Sequence, residues 1–299
     1  MKLLHVGDGH PRNVEFIVRA CTEYGIEYHR THDRSCSDAS YDILWVPEQW
    51  IDPDRYPRSK ILFGPHFWVF PNPSDPLFTR ATPEHASRCV YLCLSDWNKV
   101  VHSEMIDASR QVIPFVSIPF GLDVRAEPKA AEPVYDCVLY FKLRHPSLRE
   151  ACETFLQARG LRYKTYLYGA YSRDEYLETL RSTRFAVWIG RHESQGFGLE
   201  ECLATDTPIY LYDVTSMKEE YANGQYVYQG HSEPLLATAA PYWSDTCGLK
   251  VYSQNEFEAR FSEFEAALPS FRPAEYVRNT LSDTICFRRF LDALNLNSS

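Results

Sequence analysis

The chain has 299 residues, 44% of them hydrophobic and 14% aromatic, and a formal net charge of −9. That length suits two domains with packed cores, and the apolar content excludes a disordered chain. The acidic balance argues against a nucleic-acid partner, because neutralising phosphates takes clustered Lys and Arg.

In chain order, "KLLHVG" reads as a strand, followed by the turn "DGHP" and a helical "RNVEFIVRACTEYG". "DILWV" and "KILFG" are short apolar runs bounded by Pro or Gly and read as further strands. "VYLCLS" predicts a strand before a helix over "DWNKVVHSEMIDAS", with Ser95 or Asp96 as its cap. Residues 118–136 are rich in Pro, Ala and charge, lack periodicity and read as a linker region. A second series follows: strand "CVLYFK", helix "PSLREACETFLQARG" closed by Gly160, strand "YKTYLYG", helix "RDEYLETLRST" and strand "FAVWIG". After the stretch "RHESQGFGLEECL" come the strand "PIYLYD", the helix "NEFEARFSEFEAAL" and a helical tail.

This alternation predicts βαβ units and parallel sheets, hence an α/β chain of two doubly wound halves. The expected boundaries are 1–122 for the first domain, 123–136 for the linker, and 137–275 for the second domain. A C-terminal helical segment, 276–299, could pack back on the first domain. Ligands of open parallel sheets sit outside the carboxyl ends of the strands. The Gly7-Asp8-Gly9 turn and the stretch after Gly190 both occupy such ends, so they could face one cleft.

The nine cysteines, at 21, 36, 89, 93, 137, 152, 202, 247 and 286, include no Cys-x-x-Cys pair. Several lie in apolar runs, so buried reduced thiols and a reducing compartment are expected. The N-terminus reaches a glycine turn too soon for a signal peptide, and no window approaches the roughly 18 apolar residues of a membrane span. A cytoplasmic protein is expected, with peripheral membrane docking left open.

"RHESQGFGLEECL", residues 191 to 203, sets Glu193 and Glu201 around the turn Gly196-Phe197-Gly198. A helix beginning near Phe197 or Gly198 would offer unpaired amides and a partly positive end, which suit a diphosphate. Glycines at 196 and 198 allow close approach to the backbone. Glu201, about one turn into that helix, suits paired ribose hydroxyls, and Glu193 another polyol. Such a site fits a sugar joined to a nucleoside by a diphosphate.

The stretch "ESQGFGLEECLATDTP" resembles the donor-site signature of retaining GT-B-fold glycosyltransferases of the group-one, family-four type. Glu193, Glu201, Ala204 and Pro208 match, the Glu-Ser-Gln-Gly opening is similar to a subset of that family, and Gln195 stands where one common version has its first Glu. The resemblance implies two Rossmann-like domains facing a central cleft and a nucleoside-diphosphate sugar held mainly by the second domain. Glu201 would hold the ribose; Glu193 and the backbone of Ser194, Gln195, Gly196, Phe197 and Gly198 would hold the sugar and phosphates. It further implies that Lys142 and Arg144 of "YFKLRH" neutralise the leaving diphosphate, with no metal ion and no cofactor. Gly7 and Gly9 would line the acceptor side; the turn lacks the third glycine of a dinucleotide fingerprint. His66 would contact the donor sugar, a packed or surface histidine being the other reading. Phe67, Trp68 and Phe70 read as core more than as an acceptor platform, and Asp123 as part of a structural hinge.

The implied activity is a retaining hexosyl or pentosyl transfer to an acceptor hydroxyl that the sequence leaves open: glycan, lipid, protein or small molecule. A nucleotide-sugar epimerase on the same fold and a non-catalytic sugar-nucleotide binder stand as alternatives. A phosphorylase would need a pyridoxal lysine and a far longer chain.

Overall fold

The computed structural model describes residues 1–33, 40–124, 129, 132–230 and 236–296. The chain divides into two compact units, Met1–Asp123 with Leu281–Ser299, and Val124–Thr280.

The first unit is built on a parallel sheet. Its strands are β1 (Lys2–Val6), β2 (Glu27–Thr31), β3 (Ile43–Val46), β4 (Lys60–Phe63), β5 (Cys89–Cys93) and β6 (Phe115–Ser117), in the order β2-β1-β3-β4-β5-β6. The central strands read ILWV, KILF and CVYLC and are almost wholly buried, as strands covered on both faces must be. Helix α1 (Pro11–Glu23) opens with Pro at its first position, where a missing N–H does no harm. It buries Phe16, Ile17, Ala20 and Cys21. Short α2 (Pro76–Thr79) and α3 (Asp96–Met105), with Ser95 as its N-cap residue, complete the first series. The run at 67–70 splits: Phe67 packs on Phe78 and Tyr91, whereas Trp68 is 80% exposed and is no part of the core.

The second unit carries β7 (Tyr135–Lys142), α4 (Pro146–Ala158), β8 (Tyr163–Leu167), α5 (Arg173–Arg181), β9 (Thr183–Gly190), α6 (Phe197–Ala204) and β10 (Ile209–Tyr212). A two-stranded hairpin, β11 (Tyr221–Ala222) and β12 (Gln225–Tyr226), precedes β13 (Gly248–Val251), α7 (Gln254–Ala267) and α8 (Pro273–Thr280). The main sheet runs β13-β10-β9-β7-β8, all parallel. One face packs Cys152, Leu156, Phe257, Phe261 and Phe264 against β7, β9 and β10. On β7 and β9, Tyr140 stacks on Trp188 at 3.9 Å and meets Tyr176 of α5. In each unit the strand order reverses beside the first strand, between β1 and β3 and between β7 and β9. Such a switch point opens a crevice outside the carboxyl ends of the strands.

After α8 the chain returns to the first unit as α9 (Asp283–Ala293). Phe287 packs on Phe16 and Tyr24 of the α1 region, and Arg19 grips Asp283 through two hydrogen bonds of 2.7 and 3.0 Å. Gly121 allows this approach: a Cβ there would stand 2.6 Å from the Asp283 backbone. All described cysteines are buried and free, and Cys36 lies outside the described residues, as do 125–128 and 130–131 of the linker. No helix among the described residues is long and apolar enough to cross a membrane.

Candidate functional site

The site is built at the carboxyl edge of the second unit's sheet, where loop 191–196 joins β9 to α6. Gly196 takes a left-handed conformation, φ +97°, and its carbonyl accepts from Leu199 and Glu200 N–H at 3.0 Å to start the helix. The first amides of a helix project from its end, and the dipole there is partly positive. The start of α6 rests on an aromatic floor: the Tyr176 hydroxyl donates to the Gly198 carbonyl at 3.0 Å, and a Cβ on Gly198 would sit 3.5 Å from Trp188. That floor fixes the amides where an anion would meet them.

Two acids flank this turn. Glu193 in the loop pairs with Lys142, the last residue of β7, at 2.6 Å. Lys142 also lies over the Tyr168 ring, 4.0 Å from its centre. Glu201 on α6 pairs with Arg173 at 2.6 Å; the acid is buried and the Arg half exposed. Burial pushes the Tyr171 hydroxyl up, the bond to Tyr140 opposes this, and the charges of Glu201 and then Glu193 add to the rise. Gln195 is turned inward and donates to buried Glu200 at 3.0 Å, bracing the loop against the helix. Ser194, Phe197 and Gly198 remain partly exposed along the turn.

Lys142 and Arg144 sit two residues apart but face different tasks. Leu143 between them has φ +48° and turns the chain. The Arg144 guanidinium is buried, donates to the Gly190 carbonyl at 3.1 Å and pairs with Glu219 at 2.8 Å. It ties the end of β9 to the turn after β10. Beside it, Arg191 and His192 approach Glu220 at 3.5 Å each. Burial pushes His192 down to about 3, with Arg191 and Lys142 adding to the effect, so the ring is neutral. Burial pushes Glu220 up against the pull of Arg191 and Lys142. Arg173, Glu219, Glu220 and Tyr168 escaped the sequence reading; the acid pair of "KEEY" just past a buried strand was the one available signal.

Gly7, Gly9 and His66 belong to the first unit. Gly7 and Gly9 have φ +100° and +128°, and a Cβ on Gly7 would stand 2.7 Å from the Gln49 side-chain nitrogen. The turn needs glycine for these backbone angles, since the Gln49 amide is the end of a side chain that can swing aside. Between them Asp8 pairs with Arg30 at 2.9 Å. The His66 side chain is only 1% exposed: Nε2 faces the Val46 carbonyl at 3.3 Å, and the ring packs among Phe63, Phe67 and Tyr91. It forms part of the wall at the end of β4.

No protein-family model matches this chain, and neither does any curated protein. Solved structures do match. The chain is similar to AviGT4, a glycosyltransferase involved in avilamycin A biosynthesis, with a TM-score of 0.58 at 13% identity, covering 99% of this chain and 97% of that one. It is also similar to the lipopolysaccharide outer core galactosyltransferase WaaB in its apo form, with a TM-score of 0.53 at 12% identity over 99% of both chains. Sucrose-phosphate synthase from Thermosynechococcus elongatus gives the same TM-score of 0.53 at 12% identity, again over 99% of both chains. Identities this low speak for architecture alone, and the architecture is the GT-B fold, with its two Rossmann-like domains.

Proposed function

We propose that this protein is a retaining glycosyltransferase that moves a hexosyl or pentosyl group from a nucleoside-diphosphate sugar to an acceptor hydroxyl. The observation that carries the reading is the pair Glu193 and Glu201 flanking the Gly196–Gly198 turn at the start of α6. In this reading the α6 amides and dipole take the diphosphate. Glu201 accepts from the ribose hydroxyls, and Glu193 from hydroxyls of the transferred sugar. The GT-B fold, shared with solved glycosyltransferases, supports it.

The proposed step is a front-face displacement. The bond from the anomeric carbon to the diphosphate oxygen breaks, the acceptor oxygen bonds to the same face, and the departing phosphate oxygen takes the acceptor proton. The protein contributes positioning and charge stabilisation. Lys142 supplies the cation that meets the developing diphosphate charge. Arg144, held by Gly190 and Glu219, keeps the strand end in place. The chemistry asks for no metal ion and no organic cofactor, and the buried thiols suit a reducing cytoplasm.

A thermal-shift screen of UDP, GDP, ADP, dTDP and their sugars tests donor binding. A ligand at a hundred times its dissociation constant should stabilise by about 2.7 kcal/mol. Turnover assayed with candidate acceptors, and the anomeric configuration of the product by NMR, tests transfer with retention. Conversion of donor without acceptor would mark an epimerase instead, and binding without any turnover a non-catalytic binder.

A further inference from the structure

Asp213, the first residue after β10, is buried and surrounded by donors. Its Oδ1 accepts from Val214 N–H at 2.9 Å and Ala239 N–H at 2.7 Å. Its Oδ2 accepts from the Thr238 hydroxyl at 2.8 Å and from Lys250 Nζ at 2.7 Å. A carboxylate offers about four lone-pair sites, so these donors fill it. Asp213 is thus a clasp rather than a group kept ready for substrate.

The segment it clasps touches the loop before α6. The Thr238 carbonyl accepts from Glu193 N–H at 3.0 Å. Ala239 lies against the same loop: a Cβ on Gly190 would stand 3.6 Å from the Ala239 methyl, and one on Gly196 3.9 Å from the Ala239 carbonyl oxygen. Glu193 is consequently held twice, by Lys142 at its carboxylate and by Thr238 at its backbone. The sequence hides this link, because Asp213, Thr238 and Glu193 come from separate segments.

We infer that Asp213 is a positioning residue for Glu193, acting through Thr238 and Ala239 to fix the backbone that presents the sugar-reading acid. The role rests on the sugar-nucleotide reading of the site. A buried ion pair is weak support for stability by itself, since desolvation offsets much of its attraction. What the clasp supplies is a fixed direction for one loop. The start of α6 is anchored separately by Tyr176, so nucleotide and sugar contacts are expected to respond differently.

The test uses the full chain with Thr238→Val, which keeps the volume and removes the hydroxyl, Thr238→Ser, which keeps the hydroxyl, and Asp213→Asn. Amide hydrogen exchange over 191–196 is measured without ligand. Steady-state kinetics use whichever of UDP-glucose, GDP-mannose, ADP-glucose or dTDP-glucose stabilises the wild type most, and titration calorimetry uses the matching nucleoside diphosphate. Thr238→Val and Asp213→Asn are expected to speed exchange over 191–196. They should also lower kcat/KM roughly 10- to 100-fold, as misplacement by about an ångström does, while the bare diphosphate keeps its affinity within about threefold. Thr238→Ser is expected to behave as wild type. Unchanged exchange over 191–196 in Thr238→Val overturns the inference, and so does an equal loss for diphosphate and donor. A wild type that binds none of the panel overturns the sugar-nucleotide reading, while the exchange measurement still decides whether the clasp holds the loop.

Discussion

Lys142 and Glu193 meet at 2.6 Å across the ends of neighbouring parallel strands, their side chains only 9% and 12% exposed. The pair comes from the last residue of β7 and the loop after β9.

Removing one member is expected to hurt more than removing both. Lys142→Met takes its lysine from a buried carboxylate and should destabilise by about 3 kcal/mol. Adding Glu193→Gln to it should recover part of that loss. Urea denaturation of the two single variants and the double variant measures the coupling, and strictly additive losses would contradict it.

Glu201→Ala is expected to weaken nucleoside-diphosphate binding at least tenfold, about 1.4 kcal/mol, with little change in melting temperature. Its partner Arg173 is half exposed, so the ion pair itself adds little to stability. Calorimetry on the folded variant checks this, and an unchanged affinity would remove Glu201 from the site.

Gly196→Ala forces an L side chain into φ +97° and brings a methyl within 3.4 Å of the Glu193 side chain. The strain costs roughly 1–2 kcal/mol. Donor binding should fall further than stability does, because the strained turn shifts the amides that open α6 and are proposed to meet the diphosphate. Comparing melting with donor affinity separates the two effects.

The pH dependence follows from three buried histidines. Burial pushes His5 and His102 down to about 4 and His192 to about 3. All three are neutral in the folded chain and protonate near 6.5 once it unfolds. The unfolded chain therefore takes up more protons as pH drops below about 6.5, and stability falls with acidification. Each group contributes at most about 1.4 kcal/mol per pH unit over that window. Glu220, pushed up by burial, works in the opposite sense but is one group against three. Thermal melts at neutral pH and at pH near 5 check the sign.

Much of this architecture is legible in the residues. The runs ILWV, KILF and CVYLC announce central strands because burial on both faces demands unbroken apolar sequence. The edge strands are silent for the converse reason: EYHRT of β2 is largely exposed, and β6, the hairpin and β13 are too short or too mixed to stand out. In the site, Glu193 and Glu201 are marked by their spacing around the glycine turn. Their partners are not, since Arg173 reaches Glu201 across 28 positions and Glu219 reaches Arg144 across 75. Nor does sequence distinguish Lys142 from Arg144. The left-handed turn at Leu143 does that, sending one to Glu193 and the other beneath Gly190.

Gly121→Ala should loosen α9 from α1, because the new methyl would collide with the Asp283 backbone 2.6 Å away. A loss above about 2 kcal/mol and faster protease cleavage after residue 280 are expected. Digestion at a fixed protease ratio, with wild type alongside, reads it.

The return of α9 to α1 has a consequence for biosynthesis. The first unit opens with Met1–Asp123 yet is finished only when Asp283–Ala293 has emerged from the ribosome, whereas Val124–Thr280 is one uninterrupted stretch. Growing chains usually consolidate from the front. Here the later-encoded unit is able to mature first, while the one begun earlier waits, with Phe16 and Tyr24 uncovered, for a helix translated after both.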